Sequence, residues 1–490
     1  MRERNPCKRR FNKSRRPEDW EKYRQLTNRA VSMKRNRVRD HFSRICNDKH
    51  SDQKKFCNTI KLYISSRKKQ TFHNERIVLK ENGGVIREQK KVTEDLIEYF
   101  SSSQHTDSNQ LPPKSHQSIK AHQSCPFTLT NTCPGEVKRI MKNLKTNKAT
   151  GHDQIPARAV KESAEILCQP FSCLVNFLSE RGKIPSSWKL GEIVPVHKKD
   201  CKLTKTNYRP ITILPVLSKV FEKVVHSRLA SHFEDVYHNN VFAYRDHHGC
   251  DTAILSLTEQ FKKELDNHKV ISLVSMDLSK AFDTLPHDLI VKKLEDYGGD
   301  SKVINLVMNY SSDRQQRVRL SGQHSSMKTI TRGVPRGSIL GPILFNIFMN
   351  DLSYAIDECT LFTYANDTQL VKSAEDIDQV EHAINADLKK VDEWYEFNQM
   401  QRNHSKYQAI TFGRVERNPV LTCEGTVIPT QDEMELLGVT IDNKLKFDGQ
   451  IRKICRKVSQ QIAVLNRLKK ILPFELLVAR LKIGLTAKQF

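Results

Sequence analysis

Two short stretches of this chain carry side chains suited to phosphoryl-transfer chemistry. Residues 270–285, VISLVSMDLSKAFDTL, form an apolar run of strand-forming residues that ends on a single carboxylate, Asp277. This pattern predicts a strand that delivers one acid at its tip. LFTYANDTQL, from Leu361, predicts a hairpin with Asp367 on a tight Asn-Asp turn between two short apolar strands. Carboxylates brought from two distant segments suit a divalent ion, because Mg²⁺ is a hard cation that takes one or two carboxylates together with phosphate oxygens and water. Two such ions can clamp both the attacking and the leaving oxygen of an in-line displacement.

The elements that must position these acids lie on either side of them. GVPRGSILGPILFNIFMNDL, from Gly333, places two glycines where backbones can approach closely, followed by an apolar helix with Pro342 in its first turn. Residues 377–413 predict a helix with Ile384, Leu388, Val391, Trp394 and Tyr395 on one side, then a strand, AITFG. Upstream, the chain from Pro17 to about residue 103 is predicted to be largely helical, with Trp20, Tyr23, Leu26, Ala30 and Val31 as an apolar stripe and VTEDLIEYF as a short amphipathic helix. Residues 101–124, rich in Ser, Gln, His and Pro, predict a linker or exposed loop. From Thr130 helices and strands alternate, and YSSDRQQRVRLSG is a basic strand expected to face a nucleic-acid backbone. At the far end Ile451, Ile454, Val458, Ile462, Leu465 and Leu468 recur at helical spacing.

The segments MDLSKAFDTLPHDLIVKKL, GVPRGSILGPILFNIFMNDL and YANDT resemble the palm motifs of reverse transcriptases of non-LTR retrotransposons, the jockey-like long interspersed elements. The resemblance runs in family order over residues 148–473. It implies an α+β right-hand polymerase fold: a basic helical extension and linker (1–125), fingers (126–265), a palm with an antiparallel sheet (266–446) and the start of a thumb (447–490). The implied activity is RNA-directed DNA synthesis with two Mg²⁺, or Mn²⁺ in their place, and the implied partners are an RNA template, a DNA primer or target, and deoxynucleoside triphosphates. Residue by residue, Asp277, the Leu278 carbonyl, Asn366 and Asp367 match the metal-binding positions. Lys198, Lys199 and Arg209 match the triphosphate grip, with no choice made between the two lysines, and Arg336 and Gly337 lie beside the incoming nucleotide. Phe282 matches the ring that excludes a 2′-hydroxyl, Asp283 is expected to cap the following helix, and Lys406, in Asn-x-x-Lys, matches the general acid toward pyrophosphate. The hairpin MELLGVTIDNKLKF resembles the one that grips the primer.

Two positions depart from the family pattern. Arg336 stands where relatives typically have Gln, and Asn366 stands where they have the first of two aspartates. An amide oxygen can coordinate Mg²⁺ but brings no negative charge, so severely reduced polymerisation is expected. The alternative is a catalytically inactive nucleic-acid-binding protein on the same scaffold. The chain is expected to be a piece of a larger element protein, without the endonuclease that relatives carry and ending inside the thumb.

Composition agrees with a polyanionic partner: 81 Lys and Arg oppose 56 Asp and Glu, a net charge of +25. Residues 1–40 hold 15 basic and 5 acidic residues, and residues 447–490 hold 10 and 2, so most of the excess sits at the ends. The twelve cysteines show no CxxC pair and no Cys/His cluster at zinc spacing; His247, His248 and Cys250 lack a fourth ligand, and zinc is not expected. No signal peptide or membrane-spanning run is present, which points to an intracellular protein of the nucleus or cytoplasm.

Overall fold

A computed structural model describes residues 4–47, 77–81, 84–102, 126–198 and 200–468. They fall into two units, one formed by the chain's ends and the other by Asn74–Phe447.

In the first unit, α1 (Arg4–Ser14) and α2 (Pro17–Asn47) are separated at Arg15, whose φ is 54°. Pro17 opens α2 where its missing N–H has no helical partner, and Glu18 and Asp19 complement the dipole in the first turn. The apolar stripe is shallow: Tyr23, Leu26 and Ala30 are half-buried, while Trp20 and Val31 are exposed. Trp20 lies with its ring centroid 5.0 Å from Phe11.

In the second unit, β1 (Leu79–Glu81) and β2 (Gly84–Ile86) form an antiparallel hairpin inside the stretch expected to be helical. The Asn-Gly pair at 82–83, a hairpin signal, was available in the sequence. The expected amphipathic helix is α3 (Gln89–Ser102), which buries Val92, Leu96, Ile97 and Phe100. Residues 101 and 102 of the expected linker finish this helix, and 103–125 lie outside the described residues. After α4 (Pro134–Lys142), α5 (Ala157–Glu162) and α6 (Ala164–Arg181), β3 (Leu190–His197) and β4 (Tyr208–Ile213) pair antiparallel. Next come α7 (Val216–Phe233), α8 (Cys250–Asp266), β5 (Val270–Asp277), α9 (Ala281–Thr284), α10 (His287–Asp296) and α11 (Ser301–Ser311).

The strand β6 (Arg314–Leu320) runs parallel to β3 and pairs antiparallel with both β7 (Gln323–His324) and β8 (Lys328–Ile330). Its arginines do not present a free basic face. Arg314 is fully buried, and Arg317 and Arg319 each donate to the buried Glu192 carboxylate at 2.6 Å, because the β3–β6 register sets Glu192 beside Arg317.

The α12 helix (Leu340–Met349) is buried at every residue except Pro342. The strands β9 (Thr360–Tyr364) and β10 (Asp367–Ala374), the helix α13 (Ile377–Phe397) and the strand β11 (Gln408–Phe412) follow. Together with β5 these strands make an antiparallel sheet in the order β11-β5-β10-β9. Alternate residues of β5 enter two cores. Val270, Val274 and Met276 join Phe345, Phe348, Ile384, Leu388, Val391 and Tyr395. Ile271 and Leu273 join Phe261 of α8, together with Met434 and Ile441 of the hairpin formed, after β12 (Thr422–Cys423) and β13 (Thr426–Val427), by β14 (Glu433–Leu436) and β15 (Val439–Asp442). Burial on both faces explains why β5 reads as a continuous apolar run instead of an alternating one. The last described helix, α14 (Asp448–Leu468), belongs to the first unit; Ile451, Ile454, Val458 and Ile462 on it are exposed, and the side chains of Leu465 and Leu468 lie outside what is described.

No described helix is long and apolar enough to cross a membrane.

Candidate active site

Asp277 is the last residue of β5, as its sequence predicts, and it is the cross-strand partner of Asp367. The turn is one residue earlier than expected. Ala365 and Asn366 make the two-residue loop, with Ala365 at φ 55°, and Asp367 already pairs with Tyr364 as the first residue of β10. The ladder therefore holds both carboxylates side by side on rigid strands instead of leaving one on a loop tip.

Two acids this close are electrostatically costly when ionised. Burial, and then the neighbouring Asp277 charge, push the Asp367 pKa up, while Lys406 and Lys198 pull it down. Asp277 is held from several sides. Its Oδ1 accepts a 2.8 Å hydrogen bond from the Asn366 amide, and its Oδ2 accepts from the Lys406 ammonium in a close ion pair. Its main-chain carbonyl accepts from Asn403 N at 3.0 Å, and Ser279 N donates to Gln401 O at 2.8 Å, so the peptide around Leu278 is clamped to the turn that carries Lys406.

Asp277, Asn366, Asn403 and Lys406 line a cleft of about 550 Å³. Lys198 and Arg209 line it from the β3–β4 hairpin, Leu278 and Phe282 from the segment after β5, and Arg336 from the loop before α12. Lys199 lies outside the described residues. Phe282 stacks on Phe345, with centroids 4.6 Å apart, and meets Tyr244 edge-on at 6.2 Å.

Arg336 does not reach freely into the cleft. Its guanidinium makes a bidentate pair with Asp283, Nε to Oδ1 at 2.9 Å and Nη2 to Oδ2 at 2.6 Å. Asp283 is thereby engaged, and it does not cap the next helix; Pro286 stands at that position without a side-chain cap. Gly337 is not among the residues lining the cleft. Its φ is 125°, and a Cβ there would sit 2.5 Å from the Thr212 carbonyl oxygen, so it serves a close passage against β4. Beside it, Thr212 N donates to Arg336 O at 2.7 Å.

Sequence reasoning missed three contributors. Tyr99 of α3 lines the cleft, and the Lys280 ammonium sits 4.4 Å from its ring centroid. Lys280 has φ 51°, a left-handed conformation that no sequence pattern announced. Glu222, buried in α7, accepts hydrogen bonds from Ile339 N at 2.6 Å and Leu340 N at 3.3 Å, and so fixes where α12 begins. A Glu set with Lys223 between apolar pairs, VFEKVV, was its available signal.

The donor set fits a hard divalent cation. Two adjacent carboxylates repel one another, and a cation held by both would offset the Asp277 charge that, after burial, raises Asp367. The third position, Asn366, contributes an amide, so the set carries one negative charge fewer than three acids would.

Residues 196–441 match the family model described as reverse transcriptase (RNA-dependent DNA polymerase). The chain is 25% identical over 374 residues to the RNA-directed DNA polymerase from mobile element jockey of Drosophila melanogaster, covering 73% of this chain and 41% of that protein. Against the protein of the same description from Drosophila funebris it is 25% identical over 422 residues, covering 83% and 45%. The chain thus spans under half the length of these curated relatives. Among solved structures, apo telomerase from Candida tropicalis, truncated from its C-terminal domain, is similar at 12% identity and a TM-score of 0.39, over 58% of this chain and 60% of that one.

Proposed function

Because the chain belongs to the reverse transcriptase (RNA-dependent DNA polymerase) family and has its α+β right-hand fold, we propose that its cleft extends a DNA primer on an RNA template, as the polymerase of a jockey-like non-LTR retrotransposon acting in the nucleus or cytoplasm. Residues 126–265 then serve as fingers, 266–446 as palm and 447–490 as the start of a thumb, behind a basic extension at 1–125. The observation that carries the reading is the register pair Asp277–Asp367, with Asp277 lining a cleft that also holds Lys198, Arg209 and Phe282.

Asp277, Asp367 and the Leu278 carbonyl would hold Mg²⁺, or Mn²⁺, which when bound supplies Lewis-acid stabilisation of the reacting phosphoryl oxygens. Lys198 and the exposed, planar guanidinium of Arg209 bind the triphosphate from the fingers side. Phe282, braced by Phe345, occupies the space a 2′-hydroxyl would need and selects deoxynucleotides. Lys406 holds a proton beside Asp277 and is positioned to give it to the departing pyrophosphate. Arg336, tied to Asp283, acts by fixing the backbone behind Phe282 more than by gripping phosphate.

A second reading rests on Asn366. Its amide donates to Asp277 Oδ1 while Lys406 occupies Oδ2, so both oxygens of the first acid have internal partners, and the site lacks one charge. This supports a copy that binds nucleic acid with little or no synthesis. Primer extension on poly(rA)·oligo(dT) with dTTP and Mg²⁺ separates the two, comparing the chain as it stands with Asn366→Asp. We expect the substituted protein to extend the primer at least ~10²-fold faster, since several kcal/mol of transition-state charge stabilisation are at stake. Equal rates would mean that the amide suffices. Salt-sensitive RNA binding with no extension by either protein would favour the binding role.

A further inference from the structure

Beside the cleft, three metal-binding side chains converge from segments whose spacing in the sequence gives no hint of it. Asp392 comes from α13, His404 from the single-turn helix His404–Lys406, and Cys423 from the end of β12. One ligand atom from each lies within 4.8 Å of the others. Asp392 and Cys423 are buried and His404 is half-buried. The Cys423 thiol donates to Asp392 Oδ2 at 2.9 Å. Two polar atoms of the cluster are short of partners: Asp392 Oδ1 and His404 Nε2 are buried without a hydrogen bond. Arg402 spans two carboxylates, its Nη1 3.4 Å from Asp392 Oδ1 and its Nη2 2.7 Å from Glu424 Oε1, so Asp392 has a cation on one side but no hydrogen bond at Oδ1. Buried polar atoms without partners call for an explanation, and an ion is one.

We propose that Asp392, His404 and Cys423 form a zinc site, with the fourth position open to water. The donors are one thiolate, one imidazole and one carboxylate, a set that Zn²⁺ takes in tetrahedral geometry and that Mg²⁺, which prefers oxygen alone, does not. Binding releases the Cys423 thiol proton to solvent and replaces the S–H···O contact by S–Zn and O–Zn bonds. Without metal, burial and Asp392 hold this thiol up to about 12; the ion supplies the positive charge that stabilises the thiolate. The site ties α13, β12 and the turn bearing Asn403 and Lys406 into one clamp, and so it holds Lys406 against Asp277. That positioning consequence rests on the polymerase reading; the metal site does not.

The test uses the full chain, stripped of metal and titrated with Co²⁺ as a spectroscopic probe. The expected result is one equivalent bound, with tetrahedral d–d bands and a thiolate-to-cobalt charge-transfer band, displaced by Zn²⁺ and untouched by excess Mg²⁺. Cys423→Ser removes the charge-transfer band, and His404→Gln weakens Co²⁺ binding by roughly 10-fold or more. Cys455→Ser, at an exposed cysteine of α14, changes neither. Because Cys423 is buried, far-UV circular dichroism of each apo variant accompanies the titration, and the half-buried His404 gives a variant that keeps the core intact. The absence of a stoichiometric tetrahedral signal in the folded chain overturns the proposal. So does a thiolate band that survives Cys423→Ser in a folded protein.

Discussion

At the scale of single residues, the candidate site is a balance between like charges and the cations set against them. Asp367 has its pKa raised by burial and by Asp277. A carboxylate with a raised folded-state pKa favours the fold below its ordinary range, and this contribution is lost as pH rises through the folded value, so at neutral pH the ionised group opposes folding. Asp367→Asn is therefore expected to raise the melting temperature at pH 7 by roughly 1–3 °C. The gain should vanish in acid, where Asp367 is protonated anyway; a melting temperature lowered at pH 7 would mean that Lys406 and Lys198 dominate the acid. Phe282 makes a separate case. In an Asn366→Asp background, Phe282→Ala is expected to admit ribonucleotides, lowering discrimination by roughly 10²-fold in single-nucleotide incorporation. Unchanged discrimination would reduce Phe282 to the core aromatic that its stacking on Phe345 also permits. Asp277, Asp367 and Phe282 were legible from the sequence as motif residues. The bidentate partner of Arg336 was not, because nothing in residue types says which of two oppositely charged neighbours a guanidinium will face.

At the scale of elements, the loop between β8 and α12 is strapped at both ends. Gly333 sits at φ 84°, where a Cβ would lie 2.6 Å from the Asp283 carbonyl carbon and oxygen. Gly333→Ala must move backbone and not merely a side chain, so we expect a loss of about 2–4 kcal/mol in urea unfolding, from strain and clash together. Glu222 supports the other end of this loop. Glu222→Ala leaves Ile339 N and Leu340 N without their acceptor and should cost a further ~2–4 kcal/mol, since buried backbone donors without partners are expensive. A variant of near-native stability would show that water replaces the carboxylate. The helices and strands themselves followed from periodicity, with α3, α13 and β5 as the clearest cases. The β1–β2 hairpin was overlooked because two three-residue strands are too short to show a period, and the arginines of β6 were misjudged because their carboxylate, Glu192, comes from a different strand.

At the scale of the whole molecule, charge dominates. A net charge of +25, concentrated at the chain's two ends, would make the proposed binding to single-stranded RNA largely a matter of counterion release. If six to eight phosphates are neutralised, log K should fall against log[salt] with a slope of roughly −4 to −6, or about 10³-fold between 50 and 200 mM. Fluorescence anisotropy with a labelled oligonucleotide checks this. Asp277→Asn should leave the slope unchanged, because it removes no cation that could neutralise a phosphate. A flat salt dependence would contradict a phosphate-binding role for the basic ends.

By itself the sequence determined the two acids Asp277 and Asp367, the strands that carry them and the amide at Asn366, because these depend on residue type and local periodicity, while the reverse transcriptase class was legible through the resemblance of its motifs. Tertiary structure decided the rest. It set Asp277 opposite Asp367 through strand register, turned Arg336 toward Asp283, drew the β6 arginines onto Glu192, and brought Asp392, His404 and Cys423 to one point. The physical reason is that register and side-chain pairing between elements are fixed by how whole faces bury against one another, and a residue cannot signal in sequence a partner that lies on a different element.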